Sequence, residues 1–159
     1  MSFPTNYVTE RTQQRIREEM TDLHDNGPMN SKISEEINVF SWNVKFTGPE
    51  NSPYEGREHL VHIAFPTDYP GNPPLVTLKT FIFHPNIVGD TLDQNGRIGL
   101  DVLTPEVWFR EFTICDVMRR LESVMRCPDV SEELVMNEEA AILYRNDREE
   151  YERRAERAE

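Results

Sequence analysis

Apolar residues recur at two different periods along the first half of the chain, and the change of period marks its first structural boundary. Between Tyr7 and Asp25, residues Val8, Ile16, Met20 and Leu23 fall on one side at helical spacing. That spacing predicts an amphipathic helix, which Asn26-Gly27-Pro28 brings to an end. From Ser31 to Thr80 the period becomes two. Phe40, Trp42, Val44 and Phe46 alternate with Ser41, Asn43, Lys45 and Thr47, as in a strand with one buried face. After a turn-rich break from Gly48 to Pro53, Val61, Ile63 and Phe65 alternate with Leu60, His62 and Ala64. Leu75 to Thr80 reads as a further strand and Ile33 to Ile37 as a weaker first one. Short connections between successive strands make an antiparallel meander the expected sheet. One face must be buried under helices, with Trp42 and Phe46 turned to the core.

From Phe81 to Trp108 no period holds, although several apolar residues lie there. Such a stretch inside a compact domain reads either as a mistaken element assignment or as a functional loop. Thr113, with Asp116 three residues on, forms a capping box with Asp in place of Glu. Ile114, Val117, Met118, Leu121, Val124 and Met125 then trace one helical face up to Pro128. Asn137 caps another helix with Glu138 and Glu139 in its first turn, presenting Ala141 and Tyr144. A last helix presents Tyr151 and Ala155. The order is one helix, four strands, three helices: an α+β fold.

A length of 159 residues fits a single domain over residues 1–159, long enough to bury a core. Apolar residues at 37% and charged residues at 29% are an ordinary globular balance, not a disordered one. A net charge of -12 argues against nucleic acid or an anionic membrane as a partner. No apolar run matches a membrane span, and the first residues lack the pattern of a signal peptide. Two cysteines make no disulfide framework, so an intracellular setting, cytoplasmic or nuclear, is expected. Two Cys and four His fall at no ligand spacing, so neither a metal nor a cofactor is expected.

Candidate chemistry lies in the aperiodic stretch. His84-Pro85-Asn86 is followed, after a loop, by Asn95-Gly96-Arg97-Ile98-Gly99-Leu100-Asp101-Val102-Leu103. This resembles the active-site signature of ubiquitin-conjugating enzymes, in which His-Pro-Asn precedes Asn-Gly-x-Ile-Cys-Leu-Asp-x-Leu and the Cys carries ubiquitin as a thioester. Here that position is Gly99, and a residue without a side chain forms no thioester. The resemblance runs along nearly the whole chain. Gly48-Pro49 with Ser52-Pro53-Tyr54-Glu55-Gly56 is similar to the family's strand-two turn. Phe65 to Pro70 with Pro73-Pro74 is similar to its proline-rich link, and Trp108 with Thr113-Ile114 to its approach to helix two. Ala140-Ala141, Tyr144, Asp147-Arg148-Glu149 and Tyr151 resemble its last helices.

The resemblance implies an oxyanion-stabilising amide at Asn86, for which the residue alone also allows bracing of its own loop. It implies a loop-structuring role for His84. Acidic groups near the approach of a lysine would be Asp129, Glu132 or Glu133. Of the other thiols, Cys127 reads as a small hydrophobe at a helix end. Cys115 lies in a first helical turn, where a thiol's pKa falls, but the resemblance puts that turn away from the groove.

Partner contacts implied by the family are the activating enzyme at helix one (Arg11, Arg15) and a ligase at Gly71-Asn72 and Trp108-Phe109. All three depart from the family pattern. Arg11, Arg15 and Arg17 are outnumbered by Glu10, Glu18, Glu19, Asp22 and Asp25. Gly71-Asn72 stands where an aromatic residue is usual, and Phe109-Arg110-Glu111 where Ser-Pro-Ala is usual. The loop carrying Val88 to Gln94 is longer than usual. Two functions are therefore expected to compete. One is a non-catalytic variant that binds ubiquitin, a ubiquitin-like protein or a catalytic paralogue. The other is a working conjugating enzyme, transferring ubiquitin from a thioester to lysine, whose Cys was replaced by Gly99.

Overall fold

Alternation in the strand region builds a sheet in the order β1-β2-β3-β4, every pair antiparallel. The structure is a computed structural model and describes residues 3–88 and 96–157, with side chains from Glu10 onward. The side chain of Val8 and residues 89–95 of the long loop lie outside the described residues. Helix α1 (Phe3–Asn26) leads into β1 (Lys32–Asn38), β2 (Ser41–Thr47), β3 (Glu58–Ala64) and β4 (Leu75–Leu78). A 3₁₀ turn at Asp101–Leu103 precedes α2 (Ile114–Arg126), and a second, Glu132–Leu134, precedes α3 (Glu138–Asn146) and α4 (Arg148–Arg157). The α+β meander expected from the sequence is the fold observed.

The alternation has the phase the sequence predicts. Trp42, Val44 and Phe46 are buried on β2, and Val61 and Ile63 on β3. Val44 pairs with Val61 and Trp42 with Ile63 across the register. This apolar face packs against α1 and α2, whose buried residues are Ile16 and Leu23 on one helix and Ile114, Val117, Met118, Leu121, Val124 and Met125 on the other. The Thr113 box is formed: its hydroxyl accepts the Asp116 N–H (3.1 Å) and the Asp116 carboxylate accepts the Thr113 N–H (2.9 Å). Asn137 caps α3 by accepting the Ala140 N–H at 3.1 Å.

Two expectations change. Met20 is only partly buried, and the inward stripe of α1 includes Thr12 and Glu19 beside Ile16 and Leu23. Glu19 is therefore no part of an acidic outer surface. Its carboxylate accepts the Ile114 N–H at the start of α2 (2.7 Å), the Tyr69 hydroxyl, and the Arg15 Nε–H (3.1 Å). Supplying a carboxylate to a helix N-terminus in this way answers its unpaired N–H groups and its dipole. The second change concerns Cys127, which is exposed at the end of α2 rather than tucked in as a hydrophobe.

Candidate functional site

Past β4 the chain loses sheet pairing, and its order comes from long-range hydrogen bonds. The Tyr54 hydroxyl donates to Phe83 O (2.5 Å) and lies 2.9 Å from the Tyr151 hydroxyl of α4. Gly96 is left-handed (φ 73°), and a Cβ there would overlap the Leu78 carbonyl. Its own carbonyl accepts the Leu78 N–H at 2.8 Å, which lays the following residues along β4. Isolated bridges Thr77–Arg97 and Ile87–Ile98 continue that path to Gly99.

His84 is fully buried with both ring nitrogens engaged. Nε2–H donates to Val124 O of α2 (2.6 Å), and Nδ1 accepts the Asn86 N–H (3.0 Å). The bond accepted at Nδ1 needs the neutral ring, and burial pushes the ring's pKa down to about 4 against the opposing effect of the Val124 bond. Asn86 is equally buried. Its side-chain NH₂ donates to Asp129 O (2.6 Å) and Leu134 O (3.0 Å), while its Oδ1 accepts the Asp129 N–H (3.0 Å). An amide carries two N–H donors, and both point at backbone carbonyls.

Gly99 lies beneath the segment that Asn86 holds. It is buried, and its N–H donates to Asn86 O at 2.7 Å. A Cβ added to Gly99 would overlap the carbonyl oxygen of Leu134, and would stand 3.2 Å from Leu134 C and from Met136 Cε. Its φ is outside the left-handed region, so the obstacle to a side chain is space rather than backbone strain. The covering segment is also anchored at Pro85, whose carbonyl accepts the N–H groups of Met136 (2.8 Å) and Asn137 (3.0 Å). Arg145 adds a bond to Val130 O at 3.0 Å.

The acidic candidates separate. Asp129 turns its carboxylate onto Ser131, accepting both its N–H (3.0 Å) and its hydroxyl. Those bonds hold its pKa below the usual value, helped by Arg120 at 3.5 Å. Arg120 also pairs with Asp101 at 2.9 Å and so ties α2 to the turn after Gly99. Glu132 and Glu133 are exposed.

Neither cysteine joins this group. Cys115 is buried against α1, its Sγ 3.5 Å from Asp22 O. Burial and the Asp22 contact push its thiol up to about 12, so the helix N-terminus does not win. Among the described residues no cluster of three or more His, Cys, Asp or Glu could hold a metal, and no helix is long and apolar enough to cross a membrane.

The partner residues named from sequence meet at one end of the molecule, in different roles. Trp108 is buried and its indole N–H donates to Pro70 O (2.8 Å), joining the segment before Gly71-Asn72 to the segment of Phe109. Phe109 is 63% exposed and stands 5.5 Å, ring to ring, from Phe112. Arg15 is turned inward: it donates to Phe112 O at 2.7 Å and lies over the Tyr69 ring. Gly71, Asn72 and Arg11 are exposed.

Sequence reasoning missed Glu19, Arg120 and the cover at Leu134 and Met136. Glu19 did leave a signal, since it falls between Ile16 and Leu23 on the apolar stripe. The cover left none. In comparison with known families, the family model described as ubiquitin-conjugating enzyme matches residues 15–159.

Proposed function

The chain belongs to the ubiquitin-conjugating enzyme family, and from that premise we propose that it is a non-catalytic member of the ubiquitin or ubiquitin-like conjugation pathway, binding ubiquitin, a ubiquitin-like protein or a catalytic partner without carrying a thioester. The observation behind this reading is the state of position 99. The residue there has no side chain, and the space a side chain would take is filled by the Leu134 carbonyl.

The neighbouring groups support the same reading. Acyl transfer from a thioester to an amine passes through a tetrahedral oxyanion and needs a donor aimed at it. Both Asn86 donors are directed to Asp129 O and Leu134 O. A carboxylate beside an incoming lysine must face it, and Asp129 faces Ser131 and Arg120. These residues act together as a brace: Asn86 and Pro85 hold the 129–137 segment over the glycine.

One surface open to a partner is the end built from Gly71, Asn72, Val107 and Phe109, the last two 38% and 63% exposed. Large exposed apolar side chains with a rigid base beneath them suit protein contact. A ligase, an activating enzyme or a catalytic paralogue is the partner class this surface serves.

The test has two parts. Incubated with activating enzyme, ATP and ubiquitin, the protein forms no reductant-sensitive adduct. Titrated against isotopically labelled ubiquitin and against catalytic conjugating enzymes, it binds at least one, and for an enzyme or ligase partner Phe109→Ala weakens the binding. A reducible adduct, or failure to bind any of them, overturns the proposal.

A further inference from the structure

Helix α4 buries Tyr151 and Ala155, and the burial of that seam leaves it two flanks of opposite character. On one side Glu152 and Glu156 face Glu55 across a groove. On the other, Arg154 and Arg157 line a cleft of about 420 Å³ with Phe81 and Phe83. This cationic, aromatic flank stands out on a chain with 29 acidic and 17 basic residues.

The two arginines differ in how they are held. Arg154 stacks its guanidinium 4.3 Å from the Phe83 ring centre and pairs with Glu139 at 2.9 Å and 3.4 Å. It is fixed in place. Arg157, one turn further on, is exposed and has no ion pair among the described residues. Across the cleft Phe81 is 36% exposed. The cleft therefore offers one free guanidinium, one fixed stacked guanidinium and an exposed aromatic ring. A carboxylate fits the first, and an apolar side chain fits the last.

We propose that this cleft docks a short acidic segment of a partner protein, one apolar side chain lying on Phe81 between carboxylates that meet Arg157 and the rim of Arg154. A purely apolar ligand would leave Arg157 unused. The net charge of -12 repels an anion in proportion to its charge, so a long polyanion such as nucleic acid is disfavoured more than a segment of a few carboxylates. A peptide of a few carboxylates around one apolar residue matches the cleft in charge and size. This surface is independent of the reading of residue 99.

The experiment uses the full chain and a fluorescein-labelled peptide of four glutamates flanking one leucine, followed by anisotropy at low salt. A lysine-for-glutamate peptide and a single-stranded oligonucleotide of equal charge serve as comparisons. Saturable binding is expected for the acidic peptide alone, weakening as salt is raised. Arg157→Glu should weaken it about tenfold or more and Phe81→Ser several-fold, since each removes one of the two contacts. Both residues are exposed, and unchanged melting curves confirm that the variants are folded. No saturable binding up to about 1 mM peptide, the weak limit of specific recognition, overturns the proposal. So does binding that neither substitution changes, or tighter binding of the oligonucleotide.

Discussion

Removing the Asn86 side chain tests whether that amide is a brace. Asn86→Ala deletes two donated bonds, to Asp129 O and Leu134 O, and one accepted from the Asp129 N–H. The Asn86 side chain is fully buried and its bond to Leu134 O lies out of reach of water, while the two Asp129 groups are half-buried. At about 1 kcal/mol net for each bond, the loss should be about 3 kcal/mol. That is a large share of the roughly 5–15 kcal/mol that holds a typical domain together. For a chain of this size each kcal/mol moves the melting temperature by about 2–4 °C, so a fall of roughly 6–12 °C is expected. Urea unfolding gives the free energy directly, through a lower midpoint at an unchanged slope. Hydrogen exchange should show the Asp129 amide losing protection first, because its acceptor is the deleted Oδ1. An amide kept only to meet a reaction intermediate would be nearly silent in these assays. A loss below about 1 kcal/mol, with the Asp129 amide still protected, would refute the bracing role.

Acid should act through His84. Its folded pKa of about 4 lies below the ordinary 6.5, so the stability tied to the neutral ring is complete above pH 6.5 and is lost as pH falls from there through 4. The difference of 2.5 (6.5 − 4) is worth about 3 kcal/mol. Stability measured across that window should fall less steeply in His84→Gln than in the parent; equal slopes would contradict the assignment. A thiol reagent should modify exposed Cys127 at once and buried Cys115 only as the protein unfolds. A fast phase surviving in Cys127→Ser would show that Cys115 is accessible. Glu19→Ala should cost about 3 kcal/mol in urea unfolding, because three partners on α1, α2 and the Tyr69 turn lose their acceptor. A cost near zero would return Glu19 to the surface.

The sheet was legible because its signal is local. Trp42, Val44 and Phe46 alternate with polar neighbours, and a half-buried strand allows only one phase for that pattern. The Thr113 box was legible for the same reason, its two residues lying three apart. The stretch after β4 was not. Its order comes from partners far along the chain, such as Tyr54 with Phe83, Leu78 with Gly96 and Pro85 with Met136. Glu19 was misjudged because an acid in a helix ordinarily faces water, whereas its partners Tyr69 and Ile114 are 50 and 95 residues away. Arg15 turns inward for a similar reason, its acceptor Phe112 O lying 97 residues on. At position 99 the sequence shows a glycine where the family resemblance leads one to expect a thiol. That the Leu134 carbonyl occupies the space a side chain would take follows only from the fold.

Restoring the thiol tests the closed site most directly. Gly99→Cys, shown to be folded by its melting curve, is incubated with activating enzyme, ATP and ubiquitin and separated without reductant. The new Cβ must displace the Leu134 carbonyl, which Asn86 holds, so a stability loss of about 1–3 kcal/mol is expected. A position closed in this way predicts a folded mutant with no reducible ubiquitin adduct. Robust charging of Gly99→Cys would contradict it and would identify the chain as a conjugating enzyme lacking only its sulfur.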